Sequence, residues 1–293
     1  MHVGLLGTGV LGRAVALRLS ATGHSVTAYN RTRATAEPLA SSGITIADSP
    51  SDAIEHADCT LLFLTDAHAI RSLLLDGQAR SSLSGRTIVH MGTIGPDESV
   101  ELHRTIASLG GDYVEAPVLG SVDEAKAGSL LLMVGGTQDH VERLAPVFRS
   151  LSKEPRLVGP IGDASTLKLA LNQLIAAETA AFSLSLALIE RSDVPVDLFM
   201  SVLKESALFA RTFDKKLPRL RERNYDHPNF STRHLLKDVE LFLSAARKRQ
   251  LCAAGLLGVR DLLKESVAHG YGDVDYSAMY EEVSPRVEER SIG

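Results

Sequence analysis

The chain contains no tryptophan, only two cysteines among its 293 residues, and few aromatic residues overall (5%). Two cysteines, Cys59 and Cys252, are too few for the disulfide framework that stabilises small secreted proteins. Cys59 lies in an apolar run, where a buried reduced thiol is expected, and we therefore expect a cytoplasmic protein. A strand is predicted almost at the first residue, which leaves no room for a secretory signal.

An excess of positive charge is also missing, since the formal net charge is −5. The composition therefore gives no support to nucleic-acid binding. Uncharged apolar runs of ~20 residues, which a membrane span requires, are absent outside segment 162–193. Polar residues interrupt that segment, so we expect it to be buried in protein: Lys168, Asn172, Gln173 and Glu178. The ten histidines show no ligand-like spacing, and no metal site is expected.

The length of the chain fits two domains. Strand-like and helix-like segments alternate up to residue 161, and the later segments are all helix-like. We expect an α/β fold with three parts: a doubly wound Rossmann domain (1–161), a long connecting helix (162–193) and an all-α C-terminal domain (194–293). The charged end, 281–293, is expected to be a loose tail.

A glycine-rich turn follows the first predicted strand. The strand HVGLL leads into GTGVLG, a helix ending at Gly23 and a second strand, which is the layout of a dinucleotide-binding βαβ unit. Gly7 permits the tight turn, Gly9 lets the backbone approach a pyrophosphate, and Gly12 permits close helix–strand packing. The helix N-terminus at Val10 and Leu11 then supplies N–H groups for the phosphates.

The end of the second strand indicates which dinucleotide binds. Sites that prefer NAD place a carboxylate there for the ribose 2′-hydroxyl, but this chain has Asn30, followed by Arg31, Thr32 and Arg33. No carboxylate repels a 2′-phosphate, and two guanidinium groups with a hydroxyl can hold one. We expect NADP(H). The alternative is that both arginines are simply solvated loop residues.

Residues that follow the later strands are expected to line the same site, because ligands bind at the carboxyl ends of parallel strands. These residues are Leu64, Thr65 and Asp66 after one strand and Thr93 after the next. Asp66 could equally be the N-cap of the helix that follows.

The segment after Gly162 has no Gly or Pro for thirty residues and predicts one helix. Lys168 and Asn172 are four residues apart, and so they lie on one helix face. A lysine in the first turn opposes the helix dipole, which suggests a functional reason for it. We expect this helix to join the two domains and to carry a catalytic lysine where they meet.

Six segments together resemble the β-hydroxyacid dehydrogenase family over nearly the full chain, including its 6-phosphogluconate dehydrogenase-type NAD(P)-binding domain. The family includes 3-hydroxyisobutyrate dehydrogenase, tartronate semialdehyde reductase and the glyoxylate/succinic semialdehyde reductases. The segments are GLLGTGVLG (4–12), YNRT (29–32), MGTIGP (91–96), EAPVLGSVDEAKAGSLLLMVGG (115–136), GPIGDASTLKLALNQ (159–173) and FSTRHLLKD (230–238).

The resemblance implies roles for particular residues. Lys168 matches the catalytic lysine, Asn172 its companion, and Thr93 the residue at the nicotinamide and substrate edge. In the helical part the matches are a cofactor-contacting lysine and two residues that close the substrate pocket: Lys237, Phe230 and Asp238. The YNRT segment resembles the branch of the family that uses NADPH.

Two positions depart from the family, both on the substrate side. Leu119 replaces a serine that helps to bind a substrate carboxylate, and Gly92 replaces the serine before Thr93. We expect Ser121 to replace the lost hydroxyl in part, with backbone N–H groups around Gly120 and Ser121 binding the carboxylate.

The resemblance implies an NADPH-dependent reductase of small aldehyde or keto acids such as glyoxylate or succinic semialdehyde, with Lys168 as the proton donor. Asp238 would orient its surroundings or pair with Lys168. Alternatives are a 3-hydroxyisobutyrate-type dehydrogenase, an imine reductase-like enzyme and a non-catalytic NADPH-binding regulatory protein. The family also implies a homodimer or higher homo-oligomer.

Overall fold

The computed structural model describes residues Met1–Arg286 and divides the chain into two compact units. The first unit is Met1–Leu169, and the second begins at Ala170. The boundary lies within one continuous helix, so the connecting helix contributes its first turns to one unit and the remainder to the other.

The first unit is built on a nine-stranded sheet within the described residues. Its strands are β1 (His2–Leu6), β2 (Ser25–Tyr29), β3 (Thr45–Ile46), β4 (Cys59–Leu62), β5 (Thr87–His90), β6 (Asp112–Glu115), β7 (Val118–Leu119), β8 (Leu131–Gly135) and β9 (Arg156–Gly159). Its helices are α1 (Val10–Ala21), α2 (Arg33–Ala36), α3 (Pro50–Glu55), α4 (Ala67–Leu74), α5 (Pro96–Ser108), α6 (Val122–Ala127) and α7 (Gln138–Leu151), followed by the start of α8 (Asp163–Arg191).

The sheet has the order β3-β2-β1-β4-β5-β6-β8-β7, with β9 paired to β8. The strands from β3 to β6 along this order are parallel, whereas β8 is antiparallel to β6 and β7. The order 3-2-1-4-5-6 is that of a Rossmann fold. The predicted doubly wound α/β domain is therefore confirmed.

Apolar side chains cover both faces of this sheet, which explains why its central strands are apolar without alternation. All residues of β4 and β5 are buried. On β1, Val3 and Leu5 pack with α1 and α7, while Leu6 packs on the opposite face with α3, α4 and α5. Cys59 is buried within the first of these cores.

Strand β7 and helix α6 were not predicted. Strand β7 pairs antiparallel with β8 through Val118 and Leu119, and α6 follows directly. The sequence did contain a sign of α6, because Ser121 and Glu124 have the spacing of a capping box.

The second unit contains the rest of α8 and the helices α9 (Val196–Glu205), α10 (Arg211–Glu222), α11 (Thr232–Lys248), α12 (Ala254–Ser266) and α13 (Tyr280–Val283). The all-α prediction for this part is confirmed. Helix α10 continues through Pro218 to Glu222, and its C-cap residue Arg223 adopts a left-handed conformation (φ 49°). A proline removes one helical hydrogen bond, and here the following turn still closes.

Helix α8 is long and apolar enough to cross a membrane by length and composition, which is weak evidence by itself. Two of its residues in the second unit, Ala176 and Leu186, are fully buried. Leu184 and Leu188, however, are 65% and 67% exposed. Within a single chain, one face of this helix is therefore buried, as expected, and another face is exposed.

The predicted loose tail was also wrong for residues 281–286, while 287–293 lie outside the described residues. Glu281 belongs to α13 and is buried. Its carboxylate accepts hydrogen bonds from Arg223 (2.6 Å) and the hydroxyl of Tyr225 (2.9 Å). The carboxylate of Glu281 can be buried because Arg223 and Tyr225 both donate hydrogen bonds to it, and these bonds attach the end of the chain to the second unit.

Candidate active site

The glycine-rich turn after β1 leaves no room for side chains at two of its three glycines. Gly7 has φ +101°, and a Cβ there would lie 2.3 Å from the carbonyl oxygen of Phe63. A Cβ on Gly12 would lie 2.1 Å from the carbonyl oxygen of Gly7. Around Gly9, in contrast, nothing lies within 4 Å of the Cβ position. The turn is therefore tightly packed on the sheet side and open at Gly9, as a dinucleotide site requires.

Helix α1 begins directly at this open position. Gly9 is its N-cap and provides no side chain to cap the helix. The first N–H groups of a helix have no partner within it, and here they belong to Val10 and Leu11. An exposed, uncapped helix N-terminus beside a glycine suits a phosphate group, and so the residues present fit the pyrophosphate of a dinucleotide.

Asn30 connects the glycine-rich turn to the loop after β2. Its side-chain oxygen accepts the N–H of Thr8 (3.0 Å), and its amide nitrogen donates to the carbonyl of Thr32 (3.0 Å). The N–H of Gly7 donates to the carbonyl of Tyr29 (2.9 Å). Asn30 is thus uncharged, as a site for a 2′-phosphate requires, and its side chain also links the glycine-rich turn to the loop after β2.

The two arginines of this loop differ in their surroundings. Arg33 is the first residue of α2, and its guanidinium pairs with Glu37 (3.3 Å) and with Asp48. Arg31 and Thr32 are exposed. Since two carboxylates already surround Arg33, Arg31 is the better placed of the two for a 2′-phosphate.

The loops after β1, β4 and β5 lie side by side, because these strands are neighbours in the sheet. Leu64 connects them: its side chain lies 3.4 Å from a Cβ built on Gly7, and its carbonyl oxygen 2.9 Å from one built on Gly92. Thr65 is exposed in the same loop. Asp66 caps α4 by accepting the N–H of Ala69 (2.8 Å). Asp66 is therefore the N-cap of α4, which is one of the two interpretations given for it above.

The glycine at position 92 has a structural reason. A Cβ there would lie 2.9 Å from Nε2 of His90 and 2.9 Å from the carbonyl oxygen of Leu64. His90, which is almost fully buried at the end of β5, occupies the space that a side chain at position 92 would need. Thr93 follows, half-buried, in the loop that leads to α5.

After β6, where a substrate carboxylate was expected to bind, both donors of Ser121 have a partner within the chain. Both its N–H and its hydroxyl donate to Oε2 of Glu124, each at 2.7 Å. Glu124 also brings a negative charge to the place where a substrate carboxylate was expected. Gly120 has φ +124°, and its neighbour Leu119 is half-buried. For Ser121 to bind the substrate, Glu124 would have to release it.

Lys168 lies on the second turn of α8, one turn later than expected, and is only 9% exposed. A buried lysine is uncommon and usually paired. Glu115, which contacts the beginning of this helix, was not predicted as a site residue; it is fully buried at the end of β6. It belongs to a segment that resembles the family, but nothing in the local sequence indicates its partners.

In the second unit, Asn172 and Asp238 form a buried pair. The amide nitrogen of Asn172 donates to Oδ2 of Asp238 (2.6 Å), and Nζ of Lys237 lies 2.9 Å from the other carboxylate oxygen. A carboxylate only accepts hydrogen bonds, so this contact fixes the orientation of the Asn172 amide. Its oxygen is buried and accepts no hydrogen bond within residues 1–286. Asp238 therefore orients Asn172 and pairs with Lys237.

Phe230 lies before α11 and packs at the edge of a hydrophobic core. Its ring meets that of Tyr276 in a T-shaped arrangement, with centroids 5.8 Å apart. The structure thus arranges the predicted residues in two groups, one in each unit. Lys168 and Asn172 share a face of the one helix that belongs to both.

Family models match both parts of the chain. Residues 2–162 match the NAD binding domain of 6-phosphogluconate dehydrogenase. Residues 162–283 match the model described as NAD-binding of NADP-dependent 3-hydroxyisobutyrate dehydrogenase. Together with the fold and the glycine-rich turn, these matches define an NAD(P)-dependent oxidoreductase that acts on CH–OH and carbonyl groups. The chain belongs to the β-hydroxyacid dehydrogenase family.

Individual relatives agree with this assignment. Glyoxylate/succinic semialdehyde reductase 1 of Arabidopsis thaliana is 29% identical over 285 residues, covering 97% of this chain and 98% of that protein. The 2-hydroxy-3-oxopropionate reductase of Escherichia coli is 29% identical over 281 residues, covering 95% and 96%. The solved 3-hydroxyisobutyrate dehydrogenase of Salmonella typhimurium has the same fold, with a TM-score of 0.87, 22% identity and coverage of 96% and 99%.

Alanine at Gly9 should affect cofactor binding, whereas alanine at Gly12 should affect stability. Gly9 has an ordinary backbone conformation (φ −63°) and open surroundings, so Gly9→Ala should leave the melting temperature of the protein alone unchanged. Its Cβ should reduce NADPH affinity at least about tenfold, or ~1.4 kcal/mol. Gly12→Ala should instead lower the free energy of unfolding by ~1–3 kcal/mol through overpacking.

Thermal unfolding without cofactor and titration of NADPH fluorescence measure the two effects. Undiminished NADPH binding by Gly9→Ala would contradict the assignment of the open turn to the pyrophosphate.

Proposed function

We propose that the protein reduces the carbonyl group of a small aldehyde or keto acid, such as glyoxylate or succinic semialdehyde, with NADPH. The observation that carries this proposal is the burial of Lys168 on α8 in a chain with an open dinucleotide turn. The names of the two reductase relatives support the substrate class.

When bound at the glycine-rich turn, NADPH would supply the hydride. Lys168 donates a hydrogen bond to the carbonyl oxygen of the substrate, stabilises the negative charge that develops there and delivers the proton. Asn172 assists one turn further along the helix. The amide nitrogen of Asn172 is bound to Asp238. The side-chain oxygen of Asn172 is therefore the atom that accepts a hydrogen bond, either from Lys168 or from the hydroxyl of the product.

The carboxylate of the substrate is held by the hydroxyl of Thr93 and by the backbone around Leu119 and Gly120. Ser121 does not bind the carboxylate in this proposal, since both its N–H and its hydroxyl already donate to Glu124. The side chain of Leu119 adds apolar surface where relatives have a serine, which favours a substrate with a short apolar segment. Phe230 and Lys237 keep their proposed roles at the substrate pocket and the cofactor.

Two alternative activities are less well supported. Lys168 argues against an imine reductase, because those enzymes generally lack this lysine. A 3-hydroxyisobutyrate-type dehydrogenase uses the same residues in the oxidative direction, and the loop Asn30–Thr32 favours the reductive cofactor NADPH instead. A non-catalytic regulatory protein would not need a buried lysine at this position.

We also propose that two copies associate through an apolar surface of the second unit. This surface is a groove between α8 and α12 that includes Ala177, Ala181, Leu184, Gly255 and Val259. Leu184 and Leu188 are largely exposed beside it, and contiguous exposed apolar surface is typical of protein interfaces. A second copy is the partner that the family resemblance implies.

A cytoplasmic location stays a prediction. It is supported by the two cysteines, both of which are free thiols and one of which, Cys252, is exposed. Fractionation of cells would test it.

Lys168→Ala should abolish most turnover but leave cofactor binding intact. Loss of a proton donor that also stabilises the oxyanion should lower kcat by about 10²- to 10⁴-fold. The measurement is NADPH oxidation against a panel of short aldehyde and keto acids, with NADPH affinity measured separately. Lys153→Ala, an exposed lysine of the same unit, is the control. Full activity of Lys168→Ala would refute the mechanism, and no turnover of the native protein on any acid would favour a regulatory function.

Arg31 and Arg33 provide a matched test of cofactor preference. Arg31→Ala should weaken NADPH binding about tenfold with little effect on NADH, since only NADPH has the 2′-phosphate. Arg33→Ala should change neither affinity much, because Asp48 and Glu37 already pair with that guanidinium. A larger NADPH effect from Arg33→Ala would reverse the assignment.

Leu184→Glu should dissociate the proposed dimer, because it places a charge in an apolar interface. Leu208→Glu changes a residue that is even more exposed (77% against 65%) but lies outside the groove, and it should leave the dimer intact. Light scattering of both variants measures this. A native protein that is monomeric at all concentrations would disprove the proposal.

A further inference from the structure

Glu115 is a fully buried carboxylate at the last residue of β6, with 0% of its surface exposed. Burying a charge costs several kcal/mol unless hydrogen bonds compensate. Both oxygens of Glu115 have such bonds. Oε2 accepts the backbone N–H of Gly162 at 2.9 Å, and Oε1 accepts the hydroxyl of Ser165 at 2.5 Å.

Both donors belong to the beginning of α8. Gly162 directly precedes Asp163, the first residue of this helix, and Ser165 lies in its first turn. The N-terminus of a helix has unpaired N–H groups and the positive end of the dipole, so a carboxylate is favourable there. Glu115 therefore attaches the first turn of α8 to the end of a strand in the sheet.

The neighbouring strand leaves space for this carboxylate. Gly135 is the register partner of Glu115 in the antiparallel pair of β6 and β8. A Cβ on Gly135 would lie only 2.2 Å from Oε2 of Glu115. Three separate segments of the first unit therefore form the attachment: β6 provides the carboxylate, the beginning of α8 provides the donors, and Gly135 of β8 leaves the space that the carboxylate occupies.

The attachment also determines where Lys168 lies. Ser165 and Lys168 are three residues apart on the helix and so are neighbours on one face. At ~1.5 Å per residue they are separated by about 4.5 Å along the axis. Fixing Ser165 in position and rotation therefore fixes the base of the lysine side chain. Misplacement of a reacting group by about 1 Å can cost about 10²-fold in rate.

We propose that Glu115 is a positioning residue for the reaction: by holding Gly162 and Ser165 it sets the place of Lys168. This inference rests on the catalytic role proposed for Lys168. Glu115 acts through the helix and needs no contact with the substrate or the cofactor.

Three substitutions separate the hydrogen bonds from the charge. Glu115→Gln keeps both bonds, since an amide accepts from the N–H of Gly162 and donates to the oxygen of Ser165. Glu115→Ala removes both bonds. Gly135→Ala leaves the carboxylate in the chain but takes away its space. Should Glu115→Ala not fold, Ser165→Ala removes one bond alone and tests the same idea.

Each variant is compared with the native protein by hydrogen exchange of the amides at 162–168, by kcat, and by NADPH affinity. We expect faster exchange and a decrease in kcat of about 10- to 100-fold in Glu115→Ala and Gly135→Ala, with NADPH affinity unchanged. Glu115→Gln should keep native protection and recover most of kcat. Ser165→Ala should show a smaller change in the same direction.

The inference is overturned if Glu115→Ala folds and keeps its kcat, or if its kcat and NADPH affinity fall together, which would indicate a general structural defect. It is also overturned if Glu115→Gln is as impaired as Glu115→Ala, because the charge would then matter more than the attachment. Failure of the proposed function is a separate result: the native protein would lack turnover, or Lys168→Ala would retain it, whatever hydrogen exchange reports for 162–168.

Discussion

The order of strands in the sheet is the constraint on which the site depends. Because β1, β4, β5 and β6 are consecutive neighbours and parallel, their loops meet at one edge of the first unit. That edge holds the glycine-rich turn, Leu64, Thr93 and the carboxylate of Glu115. The chemistry of the protein follows from what each loop contributes at this edge.

Much of this arrangement could be predicted from the sequence. The glycine-rich turn has a recognisable composition because a side chain at Gly7 or Gly12 would collide with backbone, and Gly9 must stay open. The spacing of Lys168 and Asn172 on one helix follows from helical periodicity alone. The apolar, non-alternating strands similarly indicate a parallel sheet that is covered on both faces.

Other features depend on contacts between residues far apart in sequence, which local patterns do not contain. Glu115 meets Ser165 across fifty residues, and Gly92 is explained only by the position of His90 beside it. The hydroxyl of Ser121 was expected to bind substrate, but Glu124 accepts it. Glu281 was assigned to a loose tail because the end of the chain is charged, and its partners Arg223 and Tyr225 are too distant in the chain for a local pattern to indicate them.

The central claim is that the ammonium group of Lys168 reaches the reacting oxygen of the substrate. A crystal structure of the protein with NADP⁺ and a short hydroxy acid tests it most directly. We expect Nζ of Lys168 to lie within hydrogen-bonding distance, ~2.7–3.2 Å, of the hydroxyl oxygen of that acid, with the carbon bearing this oxygen facing the nicotinamide. A complex in which another side chain contacts this oxygen, and Lys168 points elsewhere, would contradict it.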